Sequence, residues 1–114
     1  GQIVGVEGYA ESAAMGMIAA RSVWAHLQGR AFVLPPATCA IGALLNYLQT
    51  ADAAHFQPMN FNFGLVPPLS DDVRRGKRER REAAAARAQQ DLAEWMREVE
   101  VDAFAREHAS RRAS

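Results

Sequence analysis

The chain opens on the stretch that decides its fold, Gly1-Gln2-Ile3-Val4-Gly5-Val6-Glu7-Gly8-Tyr9-Ala10-Glu11-Ser12-Ala13-Ala14-Met15-Gly16. Glycine accepts positive φ and lets other groups approach the backbone closely. The spacing of the four glycines therefore predicts a strand end, a turn and the start of a helix built from small residues. Backbone amides at such a helix start favour a flat or anionic ligand. The alternative is an ordinary strand-to-helix turn without a ligand.

Length and charge suggest a piece of a larger protein. The chain has 114 residues and begins with Gly1, already inside a motif, so we expect a fragment of a longer chain. Residues 1–69 carry two basic and three acidic groups, whereas residues 70–114 carry eleven and ten. The first part resembles a core and the second a solvated, charged element.

The one cysteine, Cys39, excludes an internal disulfide and favours a cytoplasmic location. No apolar run reaches the length of a membrane span.

Hydrophobic periodicity predicts a mainly α chain with helices at about 9–28, 38–50 and 77–98. Gly29 is the expected stop of the first helix, and Thr38 is the expected N-cap of the second. Residues 110–114 are expected to fray. The predicted apolar positions are Met17, Ala20, Trp24 and Leu27 in the first helix, Ile41, Leu44, Leu45 and Leu48 in the second, and Ala85, Ala88, Leu92, Trp95, Met96 and Val99 in the third.

Residues 55–69 form an apolar segment that does not have a helical pattern. It contains three prolines and one glycine, which predict irregular structure, while Phe61-Asn62-Phe63 allows a short strand. The chain thus divides into 1–29, 30–69 and 70–114: a glycine-rich start with its helix, a helix with the aromatic and proline-rich segment, and a charged helical end.

Two motifs carry a resemblance to a known family. The first is Gly1-Gln2-Ile3-x-Gly5-Val6-Glu7-Gly8-Tyr9-x-Glu11-Ser12-Ala13-Ala14-x-Gly16. The second is Ile41-Gly42-Ala43-Leu44-Leu45-x-Tyr47, followed by Phe56-Gln57-Pro58-Met59-Asn60-x-Asn62-Phe63-Gly64-Leu65-x-Pro67-Pro68-Leu69. In order and spacing they resemble the C-terminal part of the TrmFO family, the folate- and FAD-dependent tRNA (uracil-5-)-methyltransferases, within the glucose-inhibited division protein A superfamily.

The resemblance implies a mixed α/β, Rossmann-like FAD-binding fold, of which this chain is a mainly α fragment. It implies FAD as cofactor, NADPH and methylenetetrahydrofolate as further substrates, and methylation of uracil C5 in the T-loop of tRNA. The family's dinucleotide-binding loop and functional cysteines are not in this sequence, so the fragment alone is expected to be inactive and to need the N-terminal part of the same protein. No catalytic residue is assigned here.

The resemblance also implies site residues. The flavin-binding set is Gly1, Gln2, Gly8, Tyr9, Glu11, Ser12, Ala13 and Ala14. A folate or uracil contact is expected from Gln57, Asn60 and Asn62, because amides suit heterocycle edges; the alternative is that these amides order their own loop. Phosphate contact with tRNA is expected from Arg74, Arg75, Lys77, Arg78 and Arg81, with Arg80 in the same run, and the alternative is a solvated face paired with acidic residues. No aromatic residue interrupts the basic run, so no base stacking is expected there.

Other reactive residue types indicate no site. Cys39 lies near a helix start, where a thiolate is favoured, yet a small buried residue is the preferred interpretation. Glu7 and Glu11 are candidate polar contacts to the flavin or to neighbouring backbone; turn stabilisation with an early-helix charge is the preferred interpretation, and neither is assigned as a catalytic acid. His26, His55 and His108 have no metal-ligand spacing, and no metal site is predicted. Two other functions stay open: the sibling flavoprotein that adds carboxymethylaminomethyl groups to wobble uridine, and a non-catalytic helical module that binds RNA or a protein partner.

Overall fold

The computed structural model describes residues 1–70 and 76–113, and beyond Val99 it describes the side chains of only His108, Arg111 and Arg112. Three helices dominate: α1 (Tyr9–Leu27), α2 (Ala40–Thr50) and α3 (Lys77–Ala113). Short 3₁₀ turns lie at Gln2–Val4, Ala53–His55 and Phe63–Leu65. The mainly α prediction is confirmed.

The expected strands are absent from the described part of the chain. The start of the chain is a 3₁₀ turn instead of a strand end, and Phe61-Asn62-Phe63 is not a strand. The β-type pairing found among the described residues is an isolated parallel bridge between Val6 and Met59. Asn62 explains the second error, because its side chain accepts a hydrogen bond from the Gly64 amide and starts the 3₁₀ turn Phe63–Leu65.

Helix α1 has the bounds and the stop that the sequence predicts. It begins after Gly8, whose φ is +89°, and ends before Gly29, whose φ is +69°. The Gly29 amide donates to the His26 carbonyl at 2.9 Å, and the Arg30 amide donates to the Ala25 carbonyl at 2.9 Å. These two bonds form a Schellman motif, which satisfies the last carbonyls of the helix and requires a left-handed residue at Gly29.

Helix α2 starts one residue later than a Thr38 cap would require. Its N-cap is Cys39, and the Thr38 hydroxyl instead donates to Asp91 Oδ2 on α3, at 2.6 Å. The Thr38 side chain therefore bonds to a carboxylate that is distant in sequence, and it does not cap α2. Gly42 lies in the first turn directly against the backbone of Pro36, where a Cβ would overlap the Pro36 carbonyl. This close approach lets the proline-rich connector cross the start of α2.

Helix α3 is longer than predicted, at 37 residues, and the predicted fraying of 110–113 is wrong; Ser114 lies outside the described residues. The sequence beyond residue 98 contains no glycine or proline, and Arg111 and Arg112 place positive charge in the last turn, where it favours the helix dipole.

Helix α3 is attached to the rest of the chain along one face. Arg87, Asp91 and Trp95 are spaced four apart, and each makes a hydrogen bond to an earlier segment. Trp95 Nε1 donates to the Val33 carbonyl at 2.9 Å. The buried alanine of this face is Ala84; the predicted Ala85 and Met96 are exposed. The face of α3 that contacts the rest of the chain is thus rotated slightly from the predicted apolar face. The hydrogen bonds of Arg87, Asp91 and Trp95 help to define it.

The core is small, and much of α1 is uncovered. Leu44 and Val6 are the largest fully buried side chains among the described residues. The predicted apolar stripe of α1 faces outward: Met17, Trp24 and Leu27 are 67%, 61% and 74% exposed. The covered face of α1 is a different one: Met15, Ile18 and Ser22 are half-buried and Ala25 is buried. No described helix is both long enough and apolar enough to cross a membrane.

Candidate functional site

The backbone brings the two sequence motifs together. The Met59 amide donates to the Gly5 carbonyl at 2.9 Å, and the Glu7 amide donates to the Met59 carbonyl at 3.0 Å. Phe56 packs on Gly5, where a Cβ would overlap its ring. The same ring stacks on Tyr47 with centroids 6.0 Å apart. The glycine-rich start is therefore fixed against the Phe56-to-Leu69 segment by both hydrogen bonds and ring packing.

An open cleft of about 380 Å³ lies where the motifs meet. It brings together four of the predicted flavin-binding residues and one residue of the predicted folate-binding set; the lining residues are Gln2, Val6, Glu7, Gly8, Tyr9, Ser12 and Asn60. Val6 is the residue that sequence reasoning missed, and the signal was its apolar side chain between two glycines. Gly1 lies beside Ser12, whose hydroxyl is 3.8 Å from the position of a Gly1 Cβ.

Four predicted flavin-binding residues do not line the cleft: Gly1, Glu11, Ala13 and Ala14. The Glu11 carboxylate lies beside Gly8, in the space that a Gly8 side chain would occupy. Ala13 and Ala14 follow on α1, behind the first turn. The cleft is therefore formed by the turn and the first residues of the helix.

The start of α1 presents hydrogen-bond donors to the cleft. Gly8 is the N-cap, and no side chain caps the helix. The Ser12 amide makes the first helical bond, to the Gly8 carbonyl at 3.0 Å. The three preceding amides lie before this bond, at the positive end of the helix dipole. The nearby carboxylates of Glu7 and Glu11 offset that charge, so the site suits the polar edge of a ring better than a multiply charged anion.

Gln57 and Asn62 lie away from the cleft. Asn62 Oδ1 accepts from the Gly64 amide at 2.9 Å, and Asn62 Nδ2 contacts Met59 Sδ at 3.7 Å. Asn62 therefore orders its own loop, which was the alternative role. The Gln57 backbone is fixed by Tyr47, whose hydroxyl donates to the Gln57 carbonyl at 2.8 Å. Of the three amides, the structure brings only Asn60 to the cleft.

The described part of the basic run lies exposed on the first turns of α3, while Arg74 and Arg75 lie outside the described residues. Arg78 Nε is 3.0 Å from Glu82 Oε1, as helical spacing predicts. Arg81 lies over the ring of Phe63, 5.7 Å from its centroid. The fold therefore brings the Phe63 ring from a distant segment to the basic run, although no aromatic residue interrupts the run in sequence.

The remaining candidates are structural. Cys39 is buried, as preferred, and its Sγ bonds to the Pro36 carbonyl at 3.0 Å. A hydrogen bond from His55 and a second from the Ala54 amide lower the pKa of Asp52, which is fully exposed and lies outside the cleft. Within the described ranges, no three histidine, cysteine or acidic side chains are grouped as metal ligands.

Several known proteins share sequence similarity with this chain. Residues 1–31 match the family model described as glucose inhibited division protein A. The chain is 56% identical to a protein of Sphingopyxis alaskensis over 97 residues, which are 84% of this chain and 21% of the relative. The chain resembles the TrmFO methyltransferases. The name of that relative is methylenetetrahydrofolate–tRNA-(uracil-5-)-methyltransferase TrmFO.

Two further TrmFO proteins resemble this chain to a similar degree. The relative from Syntrophus aciditrophicus is 50% identical over 102 residues, covering 90% of this chain and 23% of its own length. The relative from Heliobacterium modesticaldum is 51% identical over 98 residues, covering 86% and 22%. The chain thus spans about a fifth of the length of the TrmFO relatives it matches.

Proposed function

We propose that these 114 residues are part of a methylenetetrahydrofolate- and FAD-dependent tRNA methyltransferase that makes 5-methyluridine in the T-loop. The observation that carries the proposal is the cleft at the start of α1, where the two resemblance motifs meet. The names of the relatives support the substrate class. In this proposal the remaining, Rossmann-like FAD-binding part of the protein completes the site, and the division into 1–29, 30–69 and 70–114 stays a prediction.

The donor set of the cleft fits a flavin ring edge. A flavin edge carries carbonyl oxygens and ring nitrogens, which pair with backbone amides, the Ser12 hydroxyl and the Gln2 and Asn60 amides. Gly8, Tyr9 and Ser12 would lie beside the ring, because all three line the cleft. When bound, FAD would supply the redox chemistry that takes a folate methylene group to the methyl level, with NADPH as the source of hydride.

In this proposal, the residues of this chain bind and orient the flavin, the folate and the tRNA. The uncapped amides of α1 would stabilise negative charge on the ring edge, and the exposed Tyr9 side chain would cover the ring from solvent. Asn60 would contact the folate side of the ring. The basic run of α3 would contact tRNA phosphates. We also propose a cytoplasmic location, since the substrate would be tRNA and Cys39 is a free thiol.

Flavin content tests the placement. In the complete protein that contains these residues, Ser12→Asp puts a negative charge at the ring edge and should lower the FAD retained on purification at least several-fold. Ser22→Asp is the matched control, about three turns further along α1, and should leave the flavin absorbance unchanged. Full FAD retention by the Ser12 variant would contradict the placement.

Product analysis tests the reaction. Mass spectrometry of tRNA treated with the complete protein should show 5-methyluridine in the T-loop, dependent on methylenetetrahydrofolate and NADPH. A carboxymethylaminomethyl group at the wobble position would instead identify the sibling enzyme. A colourless protein that binds RNA without changing it would identify a helical module.

A further inference from the structure

A second groove lies beside the basic run, separate from the cleft at α1. It has a volume of about 250 Å³ and is enclosed by the first turns of α3 on one side and by the chain from Phe63 to Leu69 on the other. Its walls are the Phe63 ring and the pyrrolidine rings of Pro67 and Pro68, and its rim carries Lys77, Arg80 and Arg81. The groove therefore has flat apolar walls and a cationic opening.

The walls are fixed by contacts with Arg87 and Phe61, which do not line the groove themselves. The Arg87 guanidinium donates to the Pro68 carbonyl at 3.2 Å and also to the Pro67 carbonyl. Ala84 is buried at the base. The Phe61 ring meets Phe63 edge-on, with centroids 5.6 Å apart. Phe63 nevertheless stays 43% exposed, so one part of its surface is free to take another group.

The charge at the rim favours an anion. Residues 77–82 contain four basic and two acidic side chains. One of the acidic groups, Glu82, is paired with Arg78, and the other, Glu79, is exposed and does not line the groove. Lys77, Arg81 and Ala84 recur at helical spacing, so the basic side chains project from the groove face of α3.

We propose that this groove binds one unpaired nucleotide of RNA, its base against Phe63 and its phosphates at Lys77 and Arg81. The proposal rests on the proposed function, which makes tRNA the substrate. Aromatic faces beside a positively charged track bind single-stranded RNA by stacking and phosphate contact. The volume is below the roughly 300 Å³ at which pockets for drug-sized ligands begin, which suits a single base.

The guanidinium of Arg81 connects the two parts of the site. Its position over Phe63 keeps a planar cation at the edge of the stacking surface. There it can reach a phosphate while it shields one face of the ring. The partner with both a flat apolar ring and a negative charge at short distance is a nucleotide, whereas an acidic peptide would leave the apolar walls unused.

Binding of two short RNAs to the complete protein tests this proposal. One is a uridine octamer, and the other is an octamer of the same charge whose sugars lack bases. Fluorescence anisotropy should show the uridine octamer binding at least fivefold more tightly. Phe63→Leu should abolish this difference, and Phe63→Trp should keep it, which separates stacking from a folding defect.

The charge variants form a matched pair. Arg81→Gln should weaken both octamers and lower the salt dependence by about one ion. Arg97→Gln makes the same change 16 residues further along α3, outside the groove, and should alter neither. Equal binding of the two octamers by the unaltered protein, or a persisting difference in Phe63→Leu, would overturn the proposal and leave the groove as a contact for a protein segment. The anisotropy assay contains no folate or NADPH, so it reports RNA binding alone. Methyl transfer is measured separately by the tRNA product analysis, so failure of the groove proposal and failure of the proposed function give different results.

Discussion

Single residues hold the cleft in shape, and Gly5 is the clearest case. Its φ is +96°, and a Cβ there would overlap the Phe56 ring. A left-handed conformation costs an L-residue roughly 1–2 kcal/mol. Displacing a packed ring adds about 1–3 kcal/mol. We therefore expect Gly5→Ala to lower the free energy of unfolding by about 2–5 kcal/mol, measured by urea unfolding of the 114-residue chain.

Gly16→Ala is the control for this substitution. Gly16 is inside α1, and nothing lies within 4 Å of a Cβ built there. Alanine should raise the stability of the chain by about 0.5–1 kcal/mol, because it restricts the unfolded chain and favours the helix. If both variants shifted stability in the same direction, conformational strain at Gly5 would be the wrong explanation.

Asp52 allows a second test at the residue scale. The hydrogen bond from His55 is the main cause of its lowered folded-state pKa, and the hydrogen bond from the Ala54 amide is the second. A lowered carboxyl pKa gives stability that is present above the unfolded-state pKa and is lost as the pH falls through the folded-state pKa. His55→Ala should move the Asp52 pKa part of the way back to its ordinary value, seen by NMR titration of the carboxyl carbon. An unchanged Asp52 pKa would exclude His55 as the main cause.

Between elements, the Thr38–Asp91 hydrogen bond fixes the start of α2 to the middle of α3. It is partly buried and joins residues 53 apart in sequence. Hydrogen bonds to charged groups contribute about 1.5–3 kcal/mol. A double-mutant cycle of Thr38→Val and Asp91→Ala should therefore give a coupling energy of about 1.5–3 kcal/mol in urea unfolding.

The exposed Arg78–Glu82 pair is the matched comparison for that cycle. Its side chains are 91% and 66% exposed, and an exposed helical ion pair contributes only about 0.3–0.5 kcal/mol. A coupling of equal size for both pairs would mean that the Thr38–Asp91 bond does not hold the helices together.

The local elements were predictable from sequence, whereas their partners were not. The period of α1 and the glycine at position 29 predict the helix and its stop, since both depend on neighbouring residues. The Val6–Met59 bridge and the Phe63–Arg81 contact join distant segments, and no local pattern specifies them. The capping role assigned to Thr38 failed for the same reason, because its bond goes to Asp91. At the cleft, the resemblance predicted Gly8, Tyr9 and Ser12, but only the fold could separate Asn60 from Gln57 and Asn62.

The whole molecule exposes more surface than a folded monomer of its size. Its exposed area is 8475 Å², whereas a 12.5 kDa monomer exposes about 6,200 Å². The outward stripe of Met17, Trp24 and Leu27 accounts for part of this excess. Exposed apolar patches mark surfaces that another protein surface covers. In the proposed enzyme, the remaining part of the protein is that cover.

Removing the apolar stripe should therefore benefit the isolated 114-residue chain but destabilise the complete protein. Replacing Met17, Trp24 and Leu27 by glutamine should reduce self-association of the 114-residue chain, measured by light scattering. In the complete protein the same triple variant should lower the melting temperature, because a buried stripe loses its packing. Met96→Gln, at an exposed position of α3, should change neither by a comparable amount. A triple variant that leaves the complete protein as stable as before would show that the stripe is exposed there too.

The bridge between Val6 and Met59 also sets when the cleft can exist. The two pairing residues are separated by 53 positions. At a synthesis rate of about 5–20 residues per second, the ribosome needs about 3–10 s to add the second after the first. During that interval the amides at the start of α1 have been synthesised but lack the segment that completes their cleft. In the proposed enzyme, cofactor binding at this site would therefore wait until the Phe56-to-Asn60 segment has been translated.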